Sequence, residues 1–178
     1  MKTLSFLKHM DAPLFPLAVA TLAAEFEINT VRSWLQRGTM KLSFRETAAE
    51  NGLPHLLTFR STVALAIACK LVRLGVPASE AFEHARQFSD FGSDFGITPQ
   101  RLPCGLFEGE FRTILVSRPS WEPQIIAIPD SENWAIPGKN IFYGHATRLI
   151  DLTTLYHRIV VLCAGHQGDD GESGEQID

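Results

Sequence analysis

Residues 22–38 read LAAEFEINTVRSWLQRG, and this stretch decides how the N-terminal half of the chain is interpreted. Small apolar residues recur at helical spacing before and inside it, and they predict a first helix over about residues 16–27. Ile28-Asn29 supplies a break with an N-cap, and a second helix is predicted over about residues 30–37, ending at Gly38. Two short helices joined by so few residues predict a helix-turn-helix.

The predicted second helix has an apolar face, formed by Val31, Trp34 and Leu35, and an opposite polar face. A helix in the major groove of DNA needs short polar side chains for close approach and long cationic ones for phosphates and guanine edges. The residues of the polar face that meet this requirement are Thr30, Arg32, Ser33, Gln36 and Arg37. The alternative, which stays open at this point, is the solvated face of an ordinary amphipathic helix.

A hairpin is predicted next. Residues 40–44 alternate like a strand, and residues 55–59 can pair with them across a polar connection. In a winged helix such a hairpin lies along the DNA backbone or in the minor groove and contributes charge. The predicted phosphate contacts are Lys41, Arg45 and Arg60. For each of these residues taken alone, ordinary surface charge is an equally good interpretation.

Two longer helices complete the predicted N-terminal domain, which spans residues 1–90. Ser61 is predicted to cap a helix that runs through Leu74, and Gly75-Val76-Pro77 ends it. Ser79-Glu80 then opens another helix with an apolar face.

Two motifs resemble the winged helix-turn-helix domain of the MerR family. Residues 22–38 are similar to the family pattern of Leu-Ala in the first helix and Thr-Val-Arg-x-Trp-x-x-x-Gly in the second. Residues 71–81, LVRLGVPASEA, are similar to the family's leucine-glycine junction, after which an acidic residue opens the next helix. The resemblance extends over residues 15–88. It implies a DNA-binding domain that acts as a dimer on two half-sites. Domains of this type also occur in phage excisionases and small terminase subunits.

The second half of the chain has a different pattern. Residues 91–104 are predicted to be a linker, and residues 105–164 a small β-plus-helix domain for oligomerisation or signal input, with strands over residues 107–116, 124–128 and 140–143. The last helix is predicted over residues 146–163, with a heptad-like seam that either packs on the strands or on its copy in a second subunit. The seam residues, which are the predicted oligomerisation contacts, are Leu149, Leu152, Tyr156 and Ile159.

Charge and cysteine content limit the choice of partners and compartment. The whole chain has a formal net charge of −4, but residues 1–90 carry a net +2 and the rest carries −6. Five of the acids lie in residues 165–178, which predicts an acidic disordered tail. The 3 cysteines of the chain match no zinc spacing and suit a reducing cytoplasm, so metal binding by cysteine is not expected. No other metal site and no cofactor is predicted. No apolar stretch reaches the length of a membrane span.

Catalytic motifs are absent from the sequence, and no catalytic residue is predicted. The chain contains no Gly-rich phosphate loop, no His-Glu-x-x-His and no Gly-x-Ser-x-Gly. His145, Asp151 and His157, with Cys104 and Cys163 as nucleophiles, are the pieces from which an enzyme site would have to be built, and nothing in the sequence brings them together. Aromatic residues among the β segments leave open a ligand pocket or, more simply, the core of a small sheet.

These observations predict an α+β protein, with a mostly helical winged helix-turn-helix domain followed by a β-rich segment and a C-terminal helix. The predicted function is sequence-specific binding of double-stranded DNA by a homodimeric, cytoplasmic transcriptional regulator. The alternative is a protein-interaction or mobile-element module, excisionase-like or small-terminase-like, in which the winged helix is a scaffold for a protein partner. A basic stripe over the second helix and the wing favours DNA, whereas acids interspersed across that face favour the interaction module.

Overall fold

The computed structural model describes residues 9–41, 56–93, 99–118, 121–131 and 147–169. Within these ranges the chain is mixed α+β, as predicted, with two small antiparallel sheets. The strands are β1 (Pro13–Pro16), β2 (Leu56–Thr58), β3 (Phe111–Ser117), β4 (Gln124–Pro129) and β5 (Arg148–Asp151). The helices are α1 (Leu17–Ala24), α2 (Ile28–Gln36), α3 (Phe59–Arg73), α4 (Ala78–Ser89) and α5 (Leu152–Asp169).

Helices α1 and α2 form the predicted pair, with only residues 25–27 between them. The predicted start of the second helix is wrong by two residues, because α2 begins at Ile28 and its N-cap position is Glu27. Asn29 therefore lies inside the first turn and does not cap the helix. The end of the second helix is as predicted, since Gly38 follows it with a φ of 69°.

The first sheet contains a strand that the sequence had not predicted. In β1 and β2, Phe15 lies opposite Leu57, and both side chains are fully buried. The other half of the predicted wing, residues 40–44, lies mostly outside the described residues. The predicted cap of the next helix is wrong: Thr58, not Ser61, occupies the N-cap of α3, and its hydroxyl accepts a hydrogen bond from the Ser61 amide at 3.1 Å.

Helix α3 is the central element of the core, since α1, α4 and α5 all pack against it. The larger of the two buried clusters extends from Phe15 to Cys163 and includes residues from both predicted domains. The described part of residues 91–104, predicted as a linker, contributes the buried side chains of Arg101 and Cys104 to the packing under α4. The N-terminal helices and the C-terminal unit thus share one core.

The second sheet has the order β4-β3-β5. Strands β3 and β4 correspond to the predicted strands at residues 107–116 and 124–128, whereas residues 140–143 lie outside the described residues. The predicted start of the last helix at residue 146 is wrong. Residues 148–151 pair with β3 instead, and Asp151 caps α5 by accepting hydrogen bonds from the amide and hydroxyl of Thr154 at 3.1 and 2.8 Å.

Among the helices that the structure describes, none combines the length and the apolar character needed to cross a membrane.

Candidate functional site

Helix α1 ends in a way that fixes the direction of α2. The amide of Glu25 donates to Leu22 O and the amide of Phe26 to Thr21 O, the paired hydrogen bonds of a Schellman motif. The residue at the turn of this motif must adopt a left-handed backbone, and Glu25 does so with a φ of 56°. Helices α2 and α3 end in the same motif with glycine at that position, Gly38 and Gly75. Glu25 thus adopts a backbone conformation that glycine would adopt without steric cost.

The inner face of α2 anchors this helix to the core. Val31 is fully buried, and Trp34 and Leu35 pack against the main cluster, as the sequence predicts. The indole of Trp34 lies on the ring of Phe26, with centroids 5.3 Å apart. Because Phe26 belongs to the turn, this aromatic pair locks the turn and α2 together.

The outer face of α2 is polar and open to solvent. Thr30, Arg32, Gln36 and Arg37 are exposed, and Ser33 is half-buried among them. The guanidinium of Arg32 reaches back to Asn29 Oδ1 at 3.3 Å, and that of Arg37 donates to Ser33 O at 3.2 Å and to the Ser33 hydroxyl. Lys41, also exposed, follows the helix, and no acidic residue occurs between Glu27 and Lys41.

The other predicted phosphate contacts have different positions. Arg45 lies outside the described residues. Arg60 is engaged within the chain, because its guanidinium pairs with Asp11 at 2.9 Å and donates to Ser89 O at 2.7 Å. The structure brings together the residues predicted on α2, with Lys41 next to them along the chain. Arg60 instead ties the segment before β1 and the end of α4 to the start of α3.

The predicted oligomerisation residues face the chain's own core. Leu152 and Ile159 are buried, and Tyr156 contacts the rings of Phe59 and Phe88 at right angles or nearly so. Leu149 is half-buried against the second, smaller cluster. Of the two arrangements left open for this seam, the structure has the intramolecular one.

The three cysteines, two of which the sequence analysis considered as nucleophiles, are buried. Burial raises the thiol pKa of Cys69, Cys104 and Cys163 to about 12 in each case, so none of them supplies a thiolate at neutral pH. In the described ranges no group of three or more His, Cys, Asp or Glu side chains is placed to hold a metal ion.

A buried His–Ser pair is a contact that sequence analysis missed. Nδ1 of His84 lies 3.0 Å from the hydroxyl of Ser117, and its Nε2 lies 3.9 Å from the Glu80 carboxylate. The three groups are those of a hydrolytic triad, but the two ring nitrogens have exchanged roles and Ser117 is fully buried. This pair therefore joins α4 to β3. The i, i+4 spacing of Glu80 and His84 was visible in the sequence, whereas the pairing with Ser117 was not.

A cationic cluster around Glu25 is the second group that sequence analysis missed. The Glu25 carboxylate pairs with Arg158 at 2.5 Å, Arg73 at 3.3 Å and Lys70 at 3.5 Å. The hydrogen bond from Arg158, aided by the charges of Lys70 and Arg158, lowers the Glu25 pKa to about 2. The three cations come from α3 and α5, so no local sequence pattern connects them to the turn.

The chain matches no protein-family model, and no curated protein is significantly similar to it.

Proposed function

We propose that this protein binds double-stranded DNA in a sequence-specific manner and acts as a transcriptional regulator, with α1 and α2 as a MerR-like helix-turn-helix. The observation that carries the proposal is the outer face of α2. Its side chains are polar or cationic, none is acidic, and all are exposed except the half-buried Ser33, while its inner face is fixed by Val31 and Trp34. A rigid helix with such a face is suited to the major groove.

Each exposed residue has a role that follows from its chemistry. Arg32 and Gln36 lie one turn apart on α2 and would address base edges, with Thr30 and Ser33 allowing the helix to approach closely. Arg37 and Lys41 lie at the C-terminal end of the helix and beyond it, where they would pair with phosphates. The hydrogen bonds of Arg32 to Asn29 and of Arg37 to Ser33 are exposed and cost little to exchange for contacts with DNA.

The charges of α2 and of the residues after it favour DNA binding over the scaffold alternative. An interaction module would be expected to intersperse acids across the face of α2, and from residue 28 to residue 41 the chain carries Arg32, Arg37 and Lys41 and no acid. One subunit with so few cations would bind weakly. A dimer on two half-sites would double the contacts, and it would use a surface other than the seam of α5, which is occupied.

The proposal is tested by incubating the full chain with a pool of random duplex DNA at two salt concentrations and sequencing the bound fraction. Enrichment of one motif, with binding that falls steeply as salt rises, is the expected result. Absence of retained DNA even at low salt would overturn the proposal and favour the protein-interaction alternative.

Light scattering on a sizing column tests the dimer, since a mass of 19.8 kDa at high concentration would identify a monomer.

A further inference from the structure

A cavity of about 530 Å³ opens where the turn after α1 meets α3, β5 and the start of α5. Its described lining has two kinds of surface. Lys70, Arg73 and Arg158 supply positive charge, and apolar side chains such as Leu149 and Leu155 supply the remaining wall. A volume of this size fits a small organic molecule.

The charges in the cavity are unequal. The three cations face two carboxylates in the lining, those of Glu25 and Asp151. The Asp151 carboxylate is already engaged, because it caps α5 through Thr154 and pairs with Arg112 at 3.4 Å. Glu25 thus remains as the one lining carboxylate, among the described residues, that these cations share. The cavity carries an excess of positive charge over what its own acids neutralise.

The contact between Glu25 and the cations is exchangeable. Side chains of Glu25, Arg73 and Arg158 are 53%, 48% and 42% exposed, so a dissolved anion can reach the guanidinium groups without unfolding of the helices. The two arginines are also held independently of the Glu25 carboxylate, since Arg73 reaches Ala24 O at 3.5 Å and Arg158 donates to Leu22 O at 3.3 Å. Both guanidinium groups therefore keep a backbone partner when the Glu25 side chain swings away.

We propose that this cavity binds a small organic carboxylate with an apolar body, whose carboxylate replaces that of Glu25 on Lys70, Arg73 and Arg158. The Glu25 carboxylate occupies the place that the carboxylate of such a ligand would take. The backbone of Glu25 is left-handed, as it is at the glycines that follow α2 and α3, so Glu25 carries its side chain at a steric cost. Two arginines match the planar geometry of a carboxylate, and the apolar wall accommodates the rest of the molecule.

The test uses 2-naphthoate as the probe and 2-naphthamide, which has the same rings and no charge, as its control. Binding to the full chain is followed by chemical shifts of amides. We expect 2-naphthoate to shift amides of residues 23–25, 149–151 and 154–158, and 2-naphthamide to bind at least about tenfold more weakly. Glu25→Gln removes the competing carboxylate, so its affinity for 2-naphthoate is expected to rise by about tenfold.

Two further variants remove the cations singly. Arg158→Gln and Lys70→Met are each expected to weaken binding of 2-naphthoate, whereas Arg86→Gln, at an exposed arginine of α4 outside the cavity, should leave it unchanged. Thermal unfolding of each variant shows that it is folded, and if Arg158→Gln does not fold, Lys70→Met decides the result.

The proposal is overturned if 2-naphthoate fails to bind both the natural chain and Glu25→Gln at millimolar concentration. Equal binding of the two probes, or no loss of affinity in the folded cation variants, would overturn it as well. None of these outcomes depends on DNA binding.

Discussion

Glu25 and Arg158 are separated by 133 residues in the sequence, and the Arg158 guanidinium donates to the Glu25 carboxylate at 2.5 Å. The contact joins the turn between α1 and α2 to the last helix. Because Lys70 and Arg73 of α3 share the same carboxylate, three elements are tied at one point on the surface. Only two residues, Phe26 and Glu27, separate this point from the start of α2.

The first prediction concerns the pH dependence of this cluster. The Glu25 pKa is lowered from 4.5 to about 2, first by the hydrogen bond from Arg158 and then by the charges of Lys70 and Arg158. A carboxylate with a lowered folded-state pKa stabilises the fold above its unfolded-state pKa and loses this contribution as the pH falls through the folded-state value. The melting temperature of the natural chain should therefore exceed that of Glu25→Gln at pH 6, and the difference should shrink between pH 4.5 and 2. Glu108→Gln is the control for loss of one exposed carboxylate. A difference that stays constant over this range would contradict the prediction.

The second prediction concerns His84. Burial lowers the pKa of His84 below 6.5, the charge of Arg148 adds to this, and the charge of Glu80 opposes it. Because the unfolded chain then binds a proton more readily than the folded one, the neutral form stabilises the fold above pH 6.5 and stability falls below it. The melting temperature should drop from pH 7.5 to 5.5 by more in the natural chain than in His84→Gln. His157→Gln, at an exposed histidine of α5, should behave as the natural chain does, and parallel curves for all three proteins would refute the assignment.

The third prediction concerns Arg101, which is buried against the ring of Phe88. Its guanidinium donates at 2.5 to 3.4 Å to the backbone carbonyls of Gln87, Phe88, Phe91, Leu102 and Gly105. Arg101→Met leaves these carbonyls without their donor and should lower the free energy of unfolding by about 3–5 kcal/mol. Leu102→Ala, at the neighbouring exposed position, should change it by less than about 0.5 kcal/mol. Urea unfolding measures both, and equal stabilities would show that residues 91–104 contribute nothing to the core.

The fourth prediction concerns the seam of α5. Ile159 is fully buried in the chain's own core, whereas Val161 on the same helix is 69% exposed. Ile159→Ala should cost about 2–5 kcal/mol in the free energy of unfolding, and Val161→Ala less than about 0.5 kcal/mol. The cost at Ile159 should not vary with protein concentration. A loss that grows as the protein is diluted would instead place Ile159 in an interface between subunits.

The helix ends at glycines and the buried face of α2 were predictable from the sequence, whereas the helix starts and the features that join distant residues were not. The ends of α2 and α3 at Gly38 and Gly75 follow from glycine's access to left-handed backbone, and the burial of Val31 follows from helical periodicity. Strand β1 was missed because two prolines flank its short apolar pair. The start of α5 was missed because the pairing of residues 148–151 with β3 outweighs their helical pattern.

The residues of the candidate sites could likewise be predicted only where they are close together in the sequence. The outer face of α2 is contiguous in the sequence, so its residues could be named in advance. The cluster at Glu25 combines side chains from a turn and two helices. The charge of Arg60 is likewise visible in the sequence, but the sequence does not show whether its partner is a phosphate or Asp11. Contacts of this kind are set by tertiary packing, which single-sequence patterns do not encode.

The central claim is that the outer face of α2 binds DNA, and it is tested most directly by the affinity of Arg32→Ala/Arg37→Ala for the duplex selected from the random pool. Both arginines are exposed, so the double variant should melt at the temperature of the natural chain. Its affinity, measured by fluorescence anisotropy at two salt concentrations, should fall by at least about tenfold, with a shallower dependence on salt because fewer phosphates are neutralised. Arg86→Ala, at an exposed arginine paired with Asp90, is the matched control and should bind as the natural chain does. Unchanged affinity in a folded double variant would contradict the claim.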